Sequence, residues 1–130
     1  MDTSTVMQAV AALAVYAGLA GAAGVALAAA GAHGAALSAL TPAAQFLIMH
    51  AAAALAVAAV ATRAVHAGGF LLAALVLLIG VTLFSGDIAA RTLWGQRLFP
   101  MAAPIGGSTM IIGWLILSAA GIWEVFGQRA

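Results

Sequence analysis

Between Asp2 and Arg63 the chain carries no formal charge at all. Two more charge-free runs follow, from Arg63 to Asp87 and from Arg97 to Glu124. A helix needs about 20 predominantly apolar residues to cross a bilayer. The first run is roughly three such lengths, which gives room for two crossings and a hairpin, and each later run holds one. Hydrocarbon offers backbone N–H and C=O groups no partner, so spanning segments are helices or closed barrels. Nothing here alternates with period two, as a barrel strand does. The predicted fold is all-α: a single domain over residues 1–130, an integral membrane bundle of four transmembrane helices.

Composition excludes the competing classes. Four Lys+Arg and three Asp+Glu make 5% of the 130 residues charged, and 66% are hydrophobic. Soluble domains carry roughly 25% charge, and seven charges cannot cover the surface of one this size. Disordered chains are poor in apolar residues and rich in charge, the reverse of this pattern. The basic residues Arg63, Arg91, Arg97 and Arg129 stand singly. They form no basic face for nucleic acid and no polybasic anchor for headgroups. Cysteine and lysine are both absent. Disulfides, thiolate metal sites, cysteine nucleophiles, Schiff-base lysines and a P-loop lysine are excluded with them.

Turn signals place the spans at about 6–30, 42–62, 70–90 and 104–126. Gly31-Ala32-His33-Gly34 loosens the first helix. Thr41-Pro42 reads as an N-cap followed by proline at the first helical position. Gly68-Gly69 breaks the chain before span 3, and Trp94, Gly95 and Pro100 mark a longer linker. The N-terminus lacks the positively charged segment of a signal peptide, having Asp2 instead, so span 1 is expected to remain. Orientation is tied: Arg63 and Arg129 fall on the side of the termini, Arg91 and Arg97 on the other. The expected location is a bacterial inner (plasma) membrane, crossed several times, with both termini cytoplasmic.

Small residues recur at four-residue spacing in span 1, as in Ala14/Gly18, Ala17/Gly21 and Ala20/Gly24. Helices associate in lipid by close backbone approach at such positions. Gly18, Gly21, Gly24, Gly106, Gly107 and Gly113 are thus the predicted packing glycines, and spans 1 and 2 the predicted inner pair. Span 3, bulky with Leu71, Leu72, Leu75, Leu77 and Leu78, is expected to face lipid over much of its girth. Trp94 and Trp123 suit an interfacial belt, and Trp114, at mid-span, suits core packing.

Polar groups at membrane depth are costly and point to function. His33, Gln45, His50, Ser85 and Asp87 all map to the side of the span 1–2 and 3–4 loops, joined by Ser108 and Thr109. His50 lies about 12 Å past Pro42. Asp87 precedes Arg91 by one helical turn and can pair with it. Four readings stay open: a haem between His33 and His50, a proton or ion path through His50 and Asp87, a notch for a headgroup or quinone ring, or an internal network fixing helix register. No catalytic constellation, metal-ligand set or phosphate loop is present. With only Asp2, Asp87 and Glu124, carboxylate catalysis has almost no material.

Gly31-Ala32-His33-Gly34, the Gln45-to-His50 opening of span 2, Leu83-Phe84-Ser85-Gly86, and Ala103-Pro104-Ile105-Gly106-Gly107 with Gly113-Trp114 occur in one register. Together they resemble the YgdD-like small inner-membrane proteins, catalogued as domain of unknown function 423, to which transmembrane protein 256 of animals is similar. The resemblance covers nearly the whole chain. It implies a four-helix polytopic membrane protein and brings no established activity. Asp87 departs from it, standing where many members have a second serine. The expected function is a non-enzymatic accessory or scaffold component that packs against a larger membrane complex or against itself. No cofactor is predicted, with a bound lipid or quinone as an option. The alternatives are a small oligomeric transporter or channel using His50 and Asp87, and a haem-binding membrane subunit. Expected partners are membrane lipids and membrane proteins, not nucleic acid.

Overall fold

A computed structural model describes residues 1–127. Four helices follow in order: α1 (Thr3–Gly31), α2 (Leu40–Ala61), α3 (Ala67–Trp94) and α4 (Ala102–Gly127), with a 3₁₀ turn at Ala35–Leu37. Each is long and apolar enough to cross a membrane. The shortest, α2 with 22 residues, rises about 33 Å, just more than the hydrocarbon thickness of about 30 Å. The chain is therefore a four-helix, multi-pass bundle, and no strand occurs among the described residues. Arg129, used above to weigh orientation, lies outside the described residues.

Helix ends follow local chemistry. The Asp2 carboxylate caps α1 by accepting the Thr5 N–H at 2.7 Å, satisfying one of the orphan donors of the first turn. That bond, with further ones from the Thr5 and Ser4 side chains, holds the carboxyl below its ordinary value. The capping role of Asp2 was legible from its place just before the apolar run, yet only its sign enters the sequence reading. Helix α2 starts at Leu40, so Pro42 occupies its third position rather than its first. Helix α3 ends at Gly95, whose φ of 71° is the left-handed closing conformation that glycine adopts without steric cost. Gly68-Gly69 does not break the chain but lies within the first turn of α3. The reason is packing: a Cβ on Gly69 would come within 2.9 Å of the Ala120 Cβ on α4.

The packing order corrects the expected one. Helix α3 is the centre, packing on α2, α4 and α1, whereas α1 and α4 are the most exposed helices. Its bulky residues are knobs rather than a lipid face: Phe70, Leu71, Leu77, Leu78 and Val81 are buried, while Leu72, Leu75 and Ile79 face outward. Small residues on the neighbours receive them. Along α2 the buried positions fall on one helical stripe, 40, 43/44, 47, 50/51, 54, 57/58 and 61, and are mostly alanine, which lets backbones approach. Across the α3–α4 seam, a Cβ on Gly80 would meet the Met110 N at 2.7 Å and the Gly106 O at 2.9 Å, and one on Gly113 would meet Leu77 at 2.8 Å. Gly24 does the same on α1, where Ile48 of α2 closes in to 2.6 Å of the Cβ position. Three of the predicted packing glycines, Gly24, Gly106 and Gly113, thus lie at seams. Gly18, Gly21 and Gly107 do not: nothing approaches within 4 Å of an added Cβ at any of them.

Candidate functional site

The predicted polar cluster separates into local pieces, each closed on itself. His50 is the most connected. Its Nδ1 lies 2.9 Å from the Phe46 carbonyl, which can only accept, so Nδ1 carries the proton. Nε2 then offers its lone pair to the Trp114 indole N–H at 3.3 Å. The ring is thereby a neutral Nδ1–H tautomer with both nitrogens engaged. Aromatic contacts extend the group: Phe46 stacks on His50 at 5.8 Å and meets Phe84 at 5.0 Å. Residues of α2, α3 and α4 are joined in this way. Trp114 is not core packing, being 45% exposed on the outside of α4 with its N–H turned inward.

A depth argument could have found this pair. Helices α2 and α4 start from the same side and run parallel. His50 and Trp114 each lie roughly three turns past the start of their helix. The same offset logic pairs Tyr16 of α1 with Thr82 of α3, each roughly four turns in. There the two hydroxyls meet at 2.9 Å. Neither Trp114 nor Tyr16 entered the predicted site, because an aromatic at mid-span reads as bulk.

Ser85, buried on α3, donates to the Ala43 carbonyl of α2 at 2.8 Å. Asp87, with no exposed surface, accepts the Leu98 N–H at 3.0 Å through Oδ1 and so ties the α3–α4 linker to α3. Its Oδ2 makes no hydrogen bond and lies 3.2 Å from Arg91 Nε, an ionic contact one turn along. The remaining predicted residues do not converge. His33 is exposed and turned back to the Ala29 carbonyl at 2.6 Å. Gln45 is exposed, and its side chain has no hydrogen bond among the described residues. Ser108 and Thr109 donate to carbonyls of their own helix. Ligation of a haem iron by His50 Nε2 would first break the bond to Trp114. Among the described residues no three His, Cys, Asp or Glu side chains gather to hold a metal.

The opposite end of the bundle is more open. Glu124, near the end of α4, accepts the Val65 N–H at 2.7 Å and the His66 N–H at 3.0 Å, neutralising the positive N-terminal end of α3. His66 Nδ1 lies 3.4 Å from the same carboxylate, and its ring meets Trp123 edge-on. Glu124 is thus no free interfacial charge but the staple between α4 and the α2–α3 connection. Beside it opens a cleft of about 690 Å³ between the start of α1 and the end of α4. Sequence reasoning did not find it, since a cleft arises from two helices that fail to meet.

A family model described as Protein of unknown function (DUF423) matches residues 27–107, more than half of the chain. The match runs from the end of α1 to the first turns of α4. It includes His33, His50, Ser85 and Asp87 but neither Tyr16 nor Trp114. No curated protein and no solved structure matches the chain.

Proposed function

Given that this chain belongs to the DUF423 family, we propose that it is a non-enzymatic accessory component of a bacterial inner membrane. In this reading it packs laterally, through α1, against a larger membrane complex. The observation that carries it is the open glycine pair on the outer helix: Gly18 and Gly21 have nothing within 4 Å of a Cβ position. Glycine inside a helix costs about 1 kcal/mol relative to alanine. Within the bundle that cost is offset where a neighbouring backbone closes in, as at Gly106. On the outer face of α1 an equivalent neighbour is a helix of another chain. The polar residues support the same reading, because His50, Ser85 and Asp87 each have an internal partner.

A photo-crosslinking side chain at Val15, exposed on α1, tests it, with Leu72 on α3 as the comparison site. Protein adducts at position 15 that vanish in the Gly18→Leu/Gly21→Leu variant are expected. Lipid adducts alone at both positions would contradict the proposal. Proton flux in reconstituted vesicles, abolished by His50→Ala, would favour the transporter instead.

A further inference from the structure

The register of the helices leaves one end of α3 standing clear of its neighbours. Gly106 of α4 lies against the Phe84 and Gly80 backbone, Gly113 against Leu77, and Gly69 of α3 against Ala120. These pairs set Ala102, where α4 begins, roughly level with Asp87. The Ser85 bond to the Ala43 carbonyl sets Leu40, where α2 begins, at about the same height. The last two turns of α3 therefore project about 10 Å beyond both starts. Because the length of α2 matches the hydrocarbon thickness, its start marks the hydrocarbon boundary, and the end of α3 reaches through the headgroups.

The α3–α4 linker then comes back down. Gly95 closes α3, yet the Leu98 N–H is bonded to Asp87, two turns below that end. The Leu98 side chain lies over Gly86, 3.4 Å from where a Cβ would stand. Polarity follows the descent. Gln96 and Arg97, on the outer stretch, are exposed and polar, whereas Leu98, Phe99 and Met101, back at the boundary, are exposed and apolar. The Met101 carbonyl accepts the Ile105 N–H and so opens α4. Ile105 and Ile112, two turns apart on one face, are exposed as well, so the apolar patch continues into the outer face of α4. Depth is limited from the other side by the backbone. The N–H groups of Gln96, Arg97, Phe99 and Met101 have no partner among the described residues, and hydrocarbon supplies none. A water-borne protein would meet Gln96 and Arg97 first and would reach Phe99 only through the headgroups.

We propose that residues 98–101 are an interfacial anchor seated at the headgroup–acyl boundary, with lipid as the partner. Phe99 and Met101 enter the top of the acyl region, and Arg97 stays among the headgroups. Asp87 is the positioning residue, since its carboxylate draws Leu98 down to that depth. The anchor rests on the four-crossing bundle and not on lateral packing through Gly18 and Gly21.

The variants Gln96→Cys, Phe99→Cys and Met101→Cys test it, each labelled with nitrobenzoxadiazole and reconstituted at low protein-to-lipid ratio in phosphatidylcholine vesicles. All three positions are exposed, so the labels leave the packed seams untouched. A nitroxide near the top of the lipid acyl chain quenches a probe at the boundary, and iodide, present on both sides, quenches a probe in water. At positions 99 and 101 emission should be blue-shifted relative to position 96, with the lipid nitroxide the stronger quencher. At position 96 iodide should be the stronger. Iodide quenching at position 99 or 101 as strong as at position 96 would overturn the proposal. So would shielding from iodide that is present in native membrane vesicles and lost in phosphatidylcholine vesicles, which would assign the stretch to a protein partner.

Discussion

At the scale of single residues, the bundle is built on where a side chain is missing. Gly106 and Gly107 are neighbours in sequence and opposite in consequence. A Cβ on Gly106 would run into the Phe84 backbone nitrogen and the Gly80 carbonyl, atoms that cannot swing aside, while one on Gly107 meets nothing within 4 Å. Gly106→Ala should therefore destabilise the protein by about 1–3 kcal/mol, the usual cost of overpacking. Gly107→Ala should be neutral or stabilise by up to about 1 kcal/mol through helix propensity. Unfolding in mixed detergent micelles, followed by circular dichroism, separates the two. Equal effects would remove the α3–α4 seam as described. Small-residue spacing does not distinguish such positions, because every four-residue repeat on a helix looks alike until its neighbour is known. Gly80, at the tightest crossing, therefore escaped the sequence reading, and Gly18 and Gly21 entered it as interior contacts.

At the scale of elements, the number, type and rough limits of the helices were legible from the gaps between charges, since hydrocarbon tolerates little else. Their arrangement was not. Leucine-rich α3 reads as lipid-facing and alanine-rich α2 as interior, yet a bundle needs both large knobs and the small residues that receive them. Leu77 and Gly113 show the fit, as do Ile48 and Gly24. The predicted polar residues were half legible in the same way: the Asp87–Arg91 contact follows from their spacing, whereas the backbone partners of His50, Ser85 and Asp87, and the Trp114 indole on His50, come from other segments or from main-chain groups that sequence does not display. Asp87 illustrates it, holding the Leu98 N–H and thereby the linker between α3 and α4. Asp87→Ala should weaken that attachment by about 1.5–3 kcal/mol, the worth of a hydrogen bond to a charged group. The measurement is amide exchange of Leu98, which should accelerate in Asp87→Ala and largely recover in Asp87→Asn, where an acceptor oxygen remains. Unchanged exchange in Asp87→Ala would show that the linker is held otherwise.

At the scale of the whole molecule, the two ends differ in kind. The end carrying the α1–α2 and α3–α4 connections is closed by Ser85, His50 and Asp87, each bonded inside the bundle. The end carrying the α2–α3 connection is stapled by Glu124 and cleft beside it. The two ends are separated in this way because α1 to α4 run in alternating directions, and in a bilayer each helix then crosses from one face to the other. Because the chain has no cysteine, single cysteines can be introduced without background at Ser4, Ser38, Arg63 and Gln96 and labelled with a membrane-impermeant maleimide in sealed, oriented vesicles. Positions 4 and 63 should be labelled from one face, and positions 38 and 96 only from the other. Labelling of positions 4 and 96 from the same face, or of all four from one face, would contradict the four-crossing bundle.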